Sequence, residues 1–212
     1  HKGLFRVEGM DLAGAQRLID KRLSGDALQI TLQRVDAAAL LWRLHLLGVD
    51  MSARCAKLVE GWDLSDAAAG YYAFDDVHAV MALLGAGEVT RAEAWVARCA
   101  ERAMTADDAR RSNHGMAREV GLPLMRALLA FARGEADAAA DGLYAARGLA
   151  HRFGGSHAQR DLIDQTLLAA AALGSRAGLG RAMINERVMA KPSTPLTAHW
   201  RSQLDIRLDA TA

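Results

Sequence analysis

The sequence predicts an all-α fold, a solenoid of stacked antiparallel helix hairpins, and three observations carry that reading. Alanine and leucine dominate, while aromatic residues make up only 5% of the 212 positions, a composition that favours helix over strand. The prolines are confined to Pro123, Pro192 and Pro195, so long stretches are free of the residue that breaks helices. Short glycine-bearing elbows recur along the chain, each flanked by apolar residues at helical spacing.

Taken in order, His1 to Gly9 reads as the tail of a helix, which leads us to expect the C-terminal piece of a longer chain. The first elbow is Glu8-Gly9-Met10-Asp11, and the helix after it carries the small residues Ala13 and Ala15. Leu28 to Leu47, with Leu32, Val35, Leu40, Leu44 and Leu47 on its apolar side, pairs with Ala53 to Trp62. The second elbow is Gly85-Ala86-Gly87-Glu88, followed by Ala92 and Ala94. Pro123 predicts a kink or break after Gly121, because proline lacks the N–H that a helix interior needs.

The third elbow, Arg133-Gly134-Glu135-Ala136, leads into Ala139, Ala140, Leu143 and Ala146, and the fourth, Leu173-Gly174-Ser175-Arg176, into Leu179, Met183 and Ile184. At each elbow glycine is expected to end a helix in the left-handed conformation. The small residues of the second helices let paired helices approach closely. Pro192 and Pro195 fit the turn into a closing helix over Thr197 to Leu208, whose Arg201, Gln203, Asp205 and Arg207 supply the polar outer side that ends a stack. The last three elbows are about 40 to 47 residues apart, longer than the roughly 34 of a strict tetratricopeptide repeat. The expectation is one degenerate tetratricopeptide-repeat-like domain over residues 1–212, of about five hairpins and a closing helix.

Composition also excludes. The formal charge is +1 with no dense basic run, which argues against a nucleic-acid partner. Arg34, Asp36 and Arg43 interrupt the richest apolar stretch, so no membrane span is expected. Cys55 and Cys99 lie far apart with no partner at metal spacing, so neither a disulfide framework nor a zinc site is indicated, and a reducing cytoplasm fits best. No other metal-ligand spacing, nucleophile elbow or nucleotide loop occurs, so no metal, cofactor or catalytic residue is expected.

Three clusters carry chemistry. In Gly154-Gly155-Ser156-His157-Ala158-Gln159-Arg160-Asp161, Ser156 can cap a helix on which His157, Arg160, Asp161 and Asp164 fall at i, i+3, i+4 and i+7. Leu162, Ile163, Thr166, Leu167, Ala170 and Leu173 take the other arc. The charged stripe reads either as a solvated face or as part of a concave groove. Tyr71-Tyr72-Ala73-Phe74-Asp75-Asp76-Val77-His78 sets charges into an apolar helix, where Asp76 and His78 diverge and a packed core histidine is the simpler expectation. Asn113-His114 with Arg118 and Glu119 precedes Gly121-Leu122-Pro123 and suits capping and inter-repeat hydrogen bonds.

These three segments, in this order, resemble the tetratricopeptide repeat protein 38 family, and Asp36-Ala37-Ala38-Ala39-Leu40-Leu41-Trp42-Arg43-Leu44 resembles the family's helix before the Tyr-Tyr segment. The resemblance implies a helical-repeat fold and the C-terminal half of a member, with Asp75 where the family is expected to carry asparagine. Independently of the resemblance, a curved helical solenoid suggests a protein-interaction scaffold binding a peptide or partner protein in its groove, with Tyr71, Tyr72, Arg160 and Trp42 as candidate anchors. A second copy of the chain is the other partner left open. The alternative is a small-molecule or enzymatic pocket built from Asp76, His78, His114, Glu119, His157, Arg160 and Asp161. Geometry discriminates: convergence around a cavity favours the pocket, spread along a groove the scaffold.

Overall fold

The structure, a computed structural model, describes residues 2–105 and 110–210, and His1 lies outside them. It is all-helical, with no strand among the described residues. Helices α1 (Lys2–Glu8) and α2 (Leu12–Arg22) form the first hairpin, and α3 (Thr31–Leu46) and α4 (Ser52–Glu60) the second. Helices α5 (Ala73–Gly85) and α6 (Val89–Met104) form the third. The short α7 (Ser112–Met116) runs through a π-helical turn, Ala117–Gly121, into α8 (Leu122–Ala132), which pairs with α9 (Ala136–Arg147). Helices α10 (His157–Leu173) and α11 (Ala177–Ala190) make the last hairpin, closed by α12 (Pro195–Asp209).

The elbows share one chemistry. At α1/α2, α3/α4, α5/α6 and α8/α9 the chain closes with the paired backbone bonds of a Schellman cap, for example Gly87 N–H to Leu84 O at 3.0 Å and Glu88 N–H to Leu83 O at 2.9 Å. The left-handed residue is Gly87 in the third hairpin and Gly134 in the fourth, as the sequence suggests. In the first elbow it is Met10 (φ 58°) rather than Gly9, and Gly48 (φ 78°) marks an elbow that its neighbours Leu47 and Val49 conceal. Gly174 departs from the expectation altogether: it is extended, with φ −96° and ψ −153°. That elbow is held by side chains instead. Asp137 accepts from the Ser175 N–H and hydroxyl, both at 2.6 Å, and Arg207 Nε donates to the Gly174 carbonyl at 2.7 Å.

The first helix of a hairpin is buried more fully than the second. Every residue of α5 except Asp75 is buried, whereas α6 buries only Ala92, Trp95, Val96, Cys99 and Ala103, a single stripe at helical spacing. Leu32 and Leu173, expected in the core, are 64% and 65% exposed because each sits at a helix terminus where no neighbouring hairpin covers it. The break foreseen at Pro123 is the π-helical turn. Proline lacks an N–H, and its ring would collide with the carbonyl four residues back in a regular helix, so the wider turn accommodates it.

Helices α1, α3, α5 and α8 pack each on the next, and α9 bridges α8 to α10. Helix α10 then packs against α3, and α12 against α10, α11 and α1. The last hairpin therefore closes onto the first two. Trp42 Nε1 donates to Thr166 Oγ1 at 3.0 Å across 124 residues of sequence. Glu8, at the end of α1, accepts from Lys191 Nζ at 2.8 Å and from Thr194 Oγ1 at 2.7 Å.

Candidate functional site

Where the ends of the array meet, a cavity of about 740 Å³ opens to solvent between α1, α10, α11, the end of α9 and the single residue Arg43 of α3. Local sequence fixes its main wall. Gly154 and Gly155 take positive φ values of 97° and 75°, and a Cβ on Gly155 would meet the Phe74 ring at 2.7 Å, so only glycine permits this entry. Ser156 then starts α10 with a full capping box: its hydroxyl accepts the Gln159 N–H at 3.3 Å and the Gln159 amide oxygen accepts the Ser156 N–H at 2.8 Å. The stripe of His157, Arg160, Asp161 and Asp164 is thereby turned into the cavity rather than to open solvent.

Two ion-pair nodes organise the wall. Arg187, 9% exposed, bonds Asp161 through Nη1 and Glu8 through Nη2 at 2.6 Å. Burial acts to raise the Asp161 pKa, but the Arg187 guanidinium and the Gln165 amide outweigh it and hold the carboxyl below its usual range. Arg147 forms the second node, with Nε 3.0 Å from Asp164 and Nη1 2.9 Å from Glu186. There burial wins, and the Asp164 carboxyl lies above its usual value despite Arg147.

Behind these nodes lie two polar residues excluded from water. Arg43 is 1% exposed; its Nη1 donates to Ala39 O at 2.9 Å, its Nη2 to Ala158 O at 2.7 Å, and its Nε has no partner. Burial lowers its pKa to about 10, so it stays a cation at neutral pH. Gln165, 2% exposed, gives its Nε2 to Asp161 Oδ2 at 2.6 Å. The carboxylate can only accept, which fixes the amide orientation and leaves Oε1 buried without a donor. Arg160, nearer the rim, donates to the Gly154 carbonyl at 3.3 Å and to that of Gly155, and faces His157 Nδ1 at 3.4 Å.

Of the candidate residues, only His157, Arg160 and Asp161 border this cavity. Asp76 and His78 are both 2% exposed within α5 and point apart. Asp76 accepts the Gly70 N–H at 3.3 Å, and burial pushes it up to about 7. His78 Nδ1 meets Phe74 O at 2.7 Å, which makes it the protonated nitrogen, and burial lowers the ring to about 4. His114 Nε2 is a buried atom without a partner, and Glu119 pairs with Arg152 at 2.5 Å and with Arg118 at 3.5 Å. Asn113 ties the second cluster to the third: its Oδ1 accepts the Ala73 N–H at 3.2 Å and its Nδ2 donates to Tyr71 O at 2.8 Å.

Tyr71 and Tyr72 are 70% and 44% exposed. Trp42, a candidate anchor, is 1% exposed and packs in the core. Asp75 Oδ2 accepts from Trp62 Nε1 at 3.0 Å, a bond that an asparagine oxygen could equally accept. The residues not foreseen are Glu8, Arg43, Arg147, Gln165 and Arg187. Arg43 alone carried a signal, as a charge inside the apolar run Ala37 to Leu44. Among the described residues no group of three His, Cys, Asp or Glu side chains could hold a metal ion, and no helix is long and apolar enough to cross a membrane. No family model matches the chain, and no solved structure matches it.

Proposed function

We propose that this is a helical-repeat protein that binds a small molecule in the cavity between its first and last hairpins. The observation that supports this reading is the pair Arg43 and Gln165, buried at one cavity and each left with an unsatisfied polar atom. A buried polar group without a partner costs on the order of 1–3 kcal/mol, and a bound ligand would offset that loss. At about 740 Å³ the cavity falls within the size range of small-molecule sites. The test is a fragment screen by ligand-observed NMR on the parent and on Ala190→Trp, since Ala190 is exposed and borders the cavity. Compounds bound by the parent and released by the variant are expected. A screen in which no binder responds to Ala190→Trp overturns the reading.

The second reading is the interaction scaffold, favoured by the adjacent exposed rings of Tyr71 and Tyr72, which could anchor a peptide or partner protein. On either reading we take the array as degenerate tetratricopeptide-like, in keeping with the resemblance to the tetratricopeptide repeat protein 38 family. Its support is the cap geometry shared by the elbows, while the packing of α10 on α3 departs from strict nearest-neighbour stacking. A cytoplasmic setting accords with the two buried free cysteines.

A further inference from the structure

We propose that the ligand of this cavity is an organic acid with an apolar body and a hydroxyl or amide N–H a few bonds from its acid group. The proposal rests on the small-molecule reading above. Charge comes first. Arg43, Arg147, Arg160, Arg187 and Lys191 border the cavity against Glu8, Asp161, Asp164 and Glu186. Arg147, Arg187 and Lys191 take up all four carboxylates. Among the described residues, Arg43 and Arg160 are left with backbone carbonyls as their only oxygen partners. A cation entering here would find no free carboxylate, whereas an anion would meet the Arg160 guanidinium, bonded to no carboxylate, with the buried Arg43 cation behind it.

The position of the acid group follows from α10. Arg43 is tied to Ala158 O in the first turn of that helix, and Arg160 projects from the same turn. The helix dipole adds a favourable field for negative charge there. Gln165 reaches back through Nε2 to Asp161, three residues and ~4.5 Å of helix rise beyond Ala158, and its Oε1 is left bare. That oxygen can only accept, so a ligand that displaces the side chains covering it must bring an O–H or N–H to it. The remaining wall is apolar, with Leu4, Val7, Leu168 and Met183, which suits a hydrocarbon body.

The experiment is a calorimetric titration of three matched probes: 3-hydroxyoctanoate, octanoate, and the neutral methyl ester of 3-hydroxyoctanoate. The hydroxy acid is expected to bind tightest, the deoxy acid roughly fivefold more weakly and the ester at least about tenfold more weakly, in line with single charged and neutral hydrogen bonds. Gln165→Met should erase the difference between the two acids, and Arg160→Gln should weaken both acids while leaving the ester unchanged. Acid and ester binding equally, or neither acid binding, overturns the proposal. If neutral fragments still respond to Ala190→Trp in that event, the small-molecule reading survives and only the ligand class falls. If nothing responds, both fall.

Discussion

Asp161, Arg160 and His157 stand within one turn of helix, yet their surroundings assign them different work. Asp161 is largely enclosed and joins Arg187 to Gln165, so Asp161→Ala is expected to lower unfolding stability by about 2–4 kcal/mol, the cost of breaking a buried pair and leaving its partners short. His157→Ala and Arg160→Ala remove groups at the cavity rim and should each change it by no more than about 0.5–1 kcal/mol. Urea denaturation of the three variants checks the contrast. The stripe itself was legible because i, i+3, i+4 and i+7 share a helix face. Its ion-pair partners were not, since Arg147 and Arg187 lie on other helices and only packing brings them to it. Asp76 offers a pH test. Its folded pKa, near 7, lies above the usual 3.8, so the folded state holds that proton more tightly than the unfolded one. The contribution is fully present below the usual value and is lost as pH rises to about 7. Asp76→Asn should therefore flatten the fall in stability across that interval, as read from urea midpoints at a series of pH values.

At the scale of elements, two glycines of similar backbone conformation should respond oppositely to alanine. Gly178, exposed in the first turn of α11, has open space where a Cβ would stand, so Gly178→Ala is expected to stabilise by about 0.5–1 kcal/mol through helix propensity. Gly121 ends the π-helical turn, and a Cβ there would meet the Ala73 Cβ at 2.8 Å. The collision, about 1–3 kcal/mol, should outweigh the same propensity gain, and melting temperatures of the two variants decide it. The order of the hairpins and the capping of α10 could be read from the sequence because both are local: glycine after an apolar run, serine three residues before glutamine. The elbow at Gly48 escaped because leucine and valine flank it, and Met10 because methionine seldom takes a left-handed turn. The side-chain clasp of Asp137 on Ser175 joins elements 38 residues apart, and no local pattern announces it.

At the scale of the molecule, Glu8 is the clasp between the two ends. It holds Arg187, Lys191 and Thr194, so Glu8→Ala should raise amide hydrogen exchange in α1 and α12 together while α5 and α6 keep their protection. Exchange rising in α1 alone would show that the ends are not joined through this residue. The bond from Trp42 to Thr166 has a different consequence. In an open stack a hairpin can be duplicated or lost and the rest simply lengthens or shortens. Here an added hairpin between α4 and α10 would carry Thr166 past Trp42, and a deleted one would leave it short. The number of hairpins is thus fixed by geometry, and insertions should be tolerated in the elbows but not as whole units.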